Sequence, residues 1–555
     1  MSATAQLRVA TLFSHAAPAS LPPRRFWTPS RTVAALIVVG VAVRILIASE
    51  VGLGNDECSN YSCSRHLDLG YFDHPPMCAF LARVSTEFFG TISPVTLRLP
   101  SILLFAGTTA LMFLVGRRLF GPWPGAHAAA LLNLAPVFAT TTGLSLIPDG
   151  PLMFFWMGAV WFISKLAFHS QSRWPTLQWA GVGLCLGLAM LSKYNAVLLV
   201  PGTVLFVCTQ REQRHWLWHP GPYLALLIAM AVFSPALFWN AKHGWVSLAF
   251  QGMRGASFDG LRPDWLVRSI GGQALWLLPW IWGALVWELA TGFRCRTSDP
   301  RRWCISCLAV PPIAIFTLVA LYSPNGMMFH WQSAGYLALF LAVGQRLHRL
   351  LVEGGRHARM ARAWWRFTRV ASSLAMLALI THTVAGWGLR LLPAEIADRV
   401  GPFDPTLEAA DFDGLAEVLE TRGLLNRETL VGASRWFLAG KVDYALRSRA
   451  PVLCLIEPDP RVYAFFHSQS DWLGKDIVLV NMRQYVDEPV DAYDQYFEHI
   501  ELIASIPIRR GNRSDRTLDV YRCTNFRRTL PHPYGIDGGL GQRIFTGVRK
   551  PLSPQ

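Results

Sequence analysis

Apolar runs of nearly bilayer length recur along the first two thirds of the chain, and this recurrence constrains the fold more than any other feature. The first run reads TVAALIVVGVAVRILIAS, and the others fall at about 97–115, 125–142, 150–168, 177–191, 195–209, 222–239, 268–291, 304–322, 332–350 and 370–389. A helix of about 20 apolar residues spans a bilayer. The pattern therefore predicts an α-helical polytopic membrane protein with about 11 transmembrane helices.

The charge content agrees with this class. The chain is 52% hydrophobic and only 16% charged, whereas soluble domains carry about 25% charged residues. Its net charge of +15 comes mostly from arginines in short loops between the apolar runs. Membrane topology explains such a distribution, so we predict the lipid bilayer as a partner and no nucleic acid.

Loop arginines and lysines predict the orientation. If the N-terminus is cytoplasmic, the inner segments hold roughly 21 Arg and Lys and the outer loops roughly six, in the sense of the positive-inside rule. We therefore expect a multi-pass protein of the cell inner (plasma) membrane, with a disordered cytoplasmic tail over residues 1–31. An odd number of spans places residues 393–555 outside, in the periplasmic or extracytoplasmic space.

Residues 393–555 differ in composition from the membrane region at 32–392. Short β-like runs such as APVLCLIE, KDIVLVNMR and TLDVYRC alternate with helical patterns such as DGLAEVLETRGL. This alternation predicts a C-terminal soluble α/β domain.

Ionisable and aromatic side chains gather at the predicted outer ends of the spans. Loops at one face of a helix bundle often converge on one cleft, so we expect a single site there. The candidates in the outer loop at 49–96 are Asp56, Glu57, Tyr61, Asp73 and His74, and those at other outer ends are Arg98, Asp149, Lys193, Tyr194, His330 and Trp331.

Each candidate also has a structural explanation. Asp149, or the acid pair Asp56 and Glu57, could cap a helix, and Asp73 before His-Pro-Pro could form a turn. Lys193 could be an interfacial anchor whose amine reaches the headgroups. His330 could be a polar residue satisfied at the interface.

Together these residue types indicate chemistry on a lipid phosphate. Carboxylates act as general bases or hold a metal, and Lys, His and Arg bind phosphate and stabilise a leaving group. The alternatives are a polytopic transporter or lipid flippase and a non-catalytic scaffold. Transporters place their ionisable groups in mid-membrane, whereas these lie at span ends on one face, which favours an enzyme.

Five segments resemble a known family in matching order: GNDECSNYSCSRHLDLGYFDHPPM, VTLRLPSILLFAGTTALMFLVGRRLFG, LIPDGPLMFFW, LSKYNAVLL and FHWQSAGYL. They are similar to bacterial membrane glycosyltransferases related to the dolichyl-phosphate-mannose protein mannosyltransferases, and distantly to the lipid A aminoarabinose transferase. The resemblance implies a C-type glycosyltransferase fold over 32–392, with 49–96 as the catalytic outer loop. It also implies an inverting transfer from a polyprenyl-phosphate sugar donor to a hydroxyl of a protein, glycolipid or cell-envelope glycan.

The resemblance also implies residue roles. The catalytic acids are Asp56, as base, with Glu57 and Asp149. The donor-binding residues are His74, Lys193, Tyr194, Arg98, His330 and Trp331, and the acceptor-binding residues are Tyr61 and Asp73. We predict no cofactor and no metal, although Asp56, Glu57 and Asp149 offer the oxygen ligands that a divalent cation prefers.

Overall fold

A computed structural model describes residues 27–531 and 534, apart from 169–173, 257, 259, 324–329, 427, 457–458, 485–488 and 511–512. Most of the predicted N-terminal tail, residues 1–26, lies outside the described residues, as do residues 535–555.

A helical bundle occupies the first two thirds of the chain. It consists of α1 (Pro29–Glu50), α2 (Asn55–Arg65), α3 (Met77–Phe89), α4 (Pro94–Phe120), α5 (Pro122–Leu134), a π-helix (Val137–Thr142), α6 (Asp149–Phe168), α7 (Pro175–Ser192), α8 (Leu199–Thr209), α9 (Pro220–Lys242), α10 (Val246–Ala256), α11 (Pro263–Leu277), α12 (Pro279–Arg294), α13 (Pro300–Val319), α14 (Ser333–Glu353) and α15 (Gly355–Ala385). Many of these helices begin at proline, whose fixed φ and missing N–H suit the first helical position. Short 3-10 helices cover Tyr194–Leu198 and Arg211–Leu217.

Among the described residues, seven helices are long and apolar enough to cross a membrane, or eight if α11 and α12 form one span bent by 110°. The sequence predicts about 11 because it also counts shorter or more polar runs. The run at 125–142 divides into α5 and the π-helix, the run at 195–209 is a short apolar helix, and α14 carries charged residues near its end. The polytopic helical class is confirmed.

The first span shows both faces of a membrane helix. Its apolar side chains Val38, Val39 and Leu46 point outward, which is the surface that a bilayer requires. Its buried Arg44 points inward and donates to the carbonyl of Ala139 at 3.0 Å and to Asn133 Oδ1 at 3.2 Å. Arg44 therefore joins α1 to α5 and the π-helix.

The loop at 49–96, which the sequence predicts to be an outer loop, is folded rather than irregular. It contains α2 and α3, and the turn between them carries the sequence GYFDHPP. The acids Asp56 and Glu57 lie in the first turn of α2, where negative charge is favourable to the helix dipole. The acid pair thus takes part in starting a helix, as the structural explanation expects.

The C-terminal region is a mixed α/β domain, as predicted. Its elements are α16 (Ala394–Val400), α17 (Asp413–Thr421), β1 (Val431–Ala433), α18 (Trp436–Leu446), β2 (Val452–Cys454), β3 (Ile477–Met482), α19 (Pro489–Tyr493), β4 (His499–Arg510) and β5 (Arg513–Thr524), with 3-10 helices at Trp387–Leu391, Gly401–Phe403, Pro405–Ala409, Arg461–Phe465, Gln469–Trp472 and Asp494–Tyr496. The strand order is β2-β1-β3-β5-β4. β2, β1 and β3 are parallel, whereas β5 pairs antiparallel with β3 and β4. All six residues of β3 are buried, as expected of a central strand covered on both faces.

This domain packs directly on the outer loop through α18, which lies against α2. A Cβ on Gly440 would come within 2.9 Å of the Ser59 backbone nitrogen, so the two helices touch backbone to backbone. Buried Lys441 donates to the carbonyls of Leu53 and Ala410. Asp443 accepts from Ser62 Oγ at 2.6 Å. The domain therefore covers the part of the loop in which the acid pair lies.

Candidate active site

Two helix ends that are distant in sequence meet at an ion pair. Asp149 is the first residue of α6, and Lys193 is the residue that ends α7. Lys193 Nζ lies 2.7 Å from Asp149 Oδ2, and only 4% of the Asp149 side chain is exposed. The other carboxylate oxygen, Asp149 Oδ1, has no hydrogen-bond partner among the described residues. Asp149 Oδ1 therefore remains able to accept a further hydrogen bond.

A second ion pair, Glu57 with Arg98, lies at the first turn of α2. Arg98 donates from Nε and Nη2 to the two carboxylate oxygens at 2.8 and 2.6 Å, and it also donates to the carbonyls of Val51 and Gly52. Glu57 accepts from two backbone N–H groups besides. Burial disfavours the charge of Glu57, but Arg98 and these amides together lower its pKa. Both side chains are almost fully buried, so the pair shapes the loop.

Asp56, the neighbour of Glu57, has a different environment. Protein atoms crowd its carboxylate, yet its side chain remains exposed to solvent. Burial raises the pKa of Asp56, the charges of Arg461, Lys193 and Arg254 act to lower it, and Asp73 acts to raise it. Asp56 is therefore a reachable carboxylate among several cations.

Two of those cations, Arg254 and Arg461, were missed by the sequence analysis. Arg254 lies on α10, where its guanidinium carbon is 4.5 Å from the ring centre of Phe250 and 5.3 Å from that of Trp331. Arg461 comes from the C-terminal domain and lies 3.5 Å from Asp73 Oδ2. The only signal of Arg254 was its place in an outer loop. Arg461 follows the sequence Pro-Asp-Pro in a domain whose docking the sequence does not reveal.

The two predicted histidines lie in the same cluster but are electrically neutral. Burial lowers the pKa of His74 to about 4, and burial lowers the pKa of His330 to about 4 as well. Both interact with Lys193 and Asp149. A neutral imidazole supplies hydrogen bonds but no fixed positive charge.

The remaining predicted residues divide between contacts within the helical region and the interface with the C-terminal domain. Trp331 contacts Arg254, and the Tyr194 hydroxyl lies 2.7 Å from Ser247 Oγ. Tyr61 is fully buried, and its hydroxyl lies 3.1 Å from Ser448 Oγ in the C-terminal domain. Tyr61 therefore joins α2 to that domain.

The predicted acids do not form a metal-ligand set. In the part of the chain that the structure describes, no group of three or more His, Cys, Asp and Glu side chains could hold a metal ion. Glu57 is engaged by Arg98 and Asp149 by Lys193. The divalent cation that the sequence left open thus has no fitting cluster among Asp56, Glu57 and Asp149.

Comparison with known proteins agrees with this architecture. The model of the dolichyl-phosphate-mannose-protein mannosyltransferase family matches residues 73–239. Lipid A galacturonosyltransferase RgtD of Rhizobium johnstonii is 27% identical over 491 residues, which cover 84% of this chain and 92% of that protein. Undecaprenyl phosphate-alpha-4-amino-4-deoxy-L-arabinose arabinosyl transferase 2 of Proteus mirabilis is 23% identical over 292 residues, about half of each chain.

The fold is that of a solved relative. The crystal structure of ArnT from Cupriavidus metallidurans bound to undecaprenyl phosphate matches with a TM-score of 0.61 at 16% identity, and the match covers 89% of this chain and 98% of that one. The chain is thus a polytopic membrane glycosyltransferase of the C-type fold. It is similar to the dolichyl-phosphate-mannose protein mannosyltransferases over residues 73–239, and the enzyme class predicted from the motifs, a glycosyltransferase, is confirmed.

Proposed function

We propose that this enzyme transfers a sugar, with inversion, from polyprenyl phosphate to a hydroxyl group of an extracytoplasmic acceptor. The observation that carries the proposal is the setting of Asp56, a solvent-reachable carboxylate within the electrostatic reach of Arg461, Lys193 and Arg254. A base beside several cations is what a displacement of phosphate by a hydroxyl needs.

The reaction is a single displacement. Asp56 accepts the proton of the acceptor hydroxyl, whose oxygen forms a bond to the anomeric carbon as the bond from that carbon to the phosphate oxygen breaks. The bonding electrons leave with the polyprenyl phosphate, and Lys193 and Arg254 stabilise the added charge. Phosphate leaves without being protonated, so one base suffices. Inversion follows because the oxygen attacks opposite the leaving group.

The other predicted residues take supporting roles in this proposal. Glu57 and Arg98 position the first turn of α2 rather than touching the donor, because they satisfy one another. His74 and His330, with Tyr194 and Trp331, line the donor side as neutral hydrogen-bonding and stacking groups. Asp73 faces the acceptor side with Arg461, whereas Tyr61 holds α2 on the C-terminal domain.

We propose a glycolipid of the lipid A type as the acceptor. The support is the likeness to a lipid A galacturonosyltransferase over 92% of that protein's length. Arginine and lysine are in excess in the loops at the other ends of the spans. This excess supports an extracytoplasmic position for the candidate site and the C-terminal domain.

Purified full-length protein in proteoliposomes provides the test. Lipid A is offered with polyprenyl-phosphate-linked galacturonic acid in one arm and with the 4-amino-4-deoxy-L-arabinose donor in the other. Mass spectrometry detects the product, and the anomeric configuration by NMR tests inversion. We expect Asp56→Asn to abolish transfer. Glu87→Gln, which changes an exposed acid on α3, is the control and is expected to retain it. Full activity of Asp56→Asn, or retained configuration, would refute the proposed mechanism.

A further inference from the structure

Arg461 is held in place by a dedicated set of contacts within the C-terminal domain. Its guanidinium carbon lies 3.8 Å from the ring centre of Trp436, and its Nε lies 3.2 Å from Asp459 Oδ2. Its backbone N–H donates to the Tyr534 hydroxyl at 3.0 Å, and this hydroxyl in turn donates to Asp459 Oδ1 at 3.1 Å. Both the backbone and the side chain of Arg461 are therefore fixed.

The backbone at Arg461 is in an unfavourable conformation. Its φ is +46°, in the left-handed region, which residues with a Cβ rarely adopt. Such strain persists only where the surroundings enforce it, and it concentrates at functional sites. The side chain of Arg461 lies between Trp436 of its own domain and Asp73 of the loop between α2 and α3.

The target of Arg461 is the GYFDHPP turn. Arg461 Nη1 lies 3.5 Å from Asp73 Oδ2. The ring of the preceding residue, Phe72, stacks on Tyr534 with 4.1 Å between ring centres. Gln251 Nε2 donates to the Asp73 carbonyl at 2.6 Å and steadies the turn from α10. The C-terminal domain thus contacts this turn through the ring of Tyr534 and through the charge of Arg461.

The same charge acts on Asp56. Arg461, Lys193 and Arg254 favour the ionised carboxylate, whereas Asp73 and Glu408 oppose it. Arg461 is the strongest of the favourable charges. Burial disfavours the charge of Arg461 itself, but Asp459, Asp73 and Asp56 together raise its pKa, so the guanidinium stays charged at any working pH.

We propose that Arg461 is a positioning residue of the transferase site, which fixes Asp73 and the turn that carries it, so that the C-terminal domain is part of the catalytic unit. This inference rests on the proposed role of Asp56 as base. It predicts that a residue of the soluble domain controls both the rate of transfer and its dependence on pH.

The test uses full-length protein and lipid A, with whichever of the two donors above the wild type turns over. Arg461→Ala lowers kcat/KM at neutral pH by about 10- to 100-fold, because a small misplacement of reacting groups has effects of that size. It also moves the acid limb of the pH profile to higher pH, since Asp56 loses its strongest favourable charge. Arg461→Lys keeps the charge without the planar fork, so it restores the wild-type acid limb and part of the rate.

The control is Arg449→Ala, which removes an exposed arginine of the same domain that pairs with exposed Glu420. It leaves both rate and pH profile unchanged. If Arg461→Ala fails to fold, the comparison of Arg461→Lys with Arg461→Gln decides. An unshifted acid limb in a folded, charge-free variant overturns the inference. If Asp56→Asn is fully active, the proposed base is refuted instead, so the two failures are distinguishable.

Discussion

Lys193 and Asp149, 44 residues apart in the sequence, form one buried ion pair of 2.7 Å that joins the ends of α7 and α6. Lys193→Ala leaves the Asp149 carboxylate buried without its partner, which costs about 3–5 kcal/mol of stability. Under the proposed mechanism it also lowers kcat by about 100-fold or more, since Lys193 no longer stabilises the leaving phosphate. Thermal unfolding in detergent and the lipid A assay measure the two effects.

A double variant separates structure from chemistry at this pair. Lys193→Met with Asp149→Asn removes both charges, so the unfolding temperature recovers while activity does not. Recovery of activity in the double variant would show that the pair serves only to hold the two helices together.

The Glu57–Arg98 pair is expected to affect folding more than chemistry. Arg98→Ala leaves Glu57 buried and unpaired at a cost of about 3–5 kcal/mol. Arg83→Ala, which breaks an exposed pair with Glu87 on α3, costs only about 0.2–1 kcal/mol. Thermal melts of the two variants side by side test this contrast. Equal melting temperatures for both variants would contradict the structural role assigned to Arg98.

The proposed role of Asp56 as base predicts the pH dependence of transfer. A base acts only when it is deprotonated, and burial raises the pKa of Asp56. Activity is therefore lost, as pH falls, at a higher pH than an ordinary aspartate with a pKa of about 3.9 would give. Measuring kcat/KM from pH 4 to pH 8 at constant ionic strength gives the pH at which activity falls on the acid side of the profile. A profile that stays flat down to pH 4 argues against Asp56 as the base.

The docking of the C-terminal domain is tested at Gly440. In Gly440→Ala, the new methyl group would lie 2.9 Å from the Ser59 backbone nitrogen and 3.0 Å from the Tyr463 hydroxyl, so α18 must move away from α2. We expect a loss of about 1–3 kcal/mol, typical of overpacking, together with reduced transfer.

Gly414→Ala is the matched control, because its nearest neighbour, Ile506, would lie at an ordinary 3.6 Å. Hydrogen exchange across α2 compares the two variants. Unchanged protection of α2 in Gly440→Ala would show that the contact does not hold the domain.

Much of the architecture was predictable because bilayer-length apolar runs and loop arginines carry a strong physical signal. The acid pair, the DHPP turn, Asp149 and Lys193 were found because ionisable groups at span ends stand out against apolar neighbours, and the structure brings them together. Arg254 and Arg461 were not found. Arginine is common in loops and soluble domains, and only the packing of α10 and the C-terminal domain shows which arginines approach Asp56.

The described residues contain fewer long, unbroken apolar helices than the sequence has apolar runs, for a related reason. Hydropathy alone cannot show that α5 gives way to a π-helix, or that the run at 268–291 bends by 110° at Leu278, which adopts a left-handed φ of +68°. Such breaks depend on neighbouring helices, which a single sequence does not specify.

The contact of α18 with α2 has a consequence for the order of biosynthesis. Arg461 and Tyr534 follow Asp56 by more than 400 residues in the sequence, so they are synthesised well after it. Under the proposed mechanism, the site is therefore complete only after the C-terminal domain has folded and docked on the loop that carries Asp56.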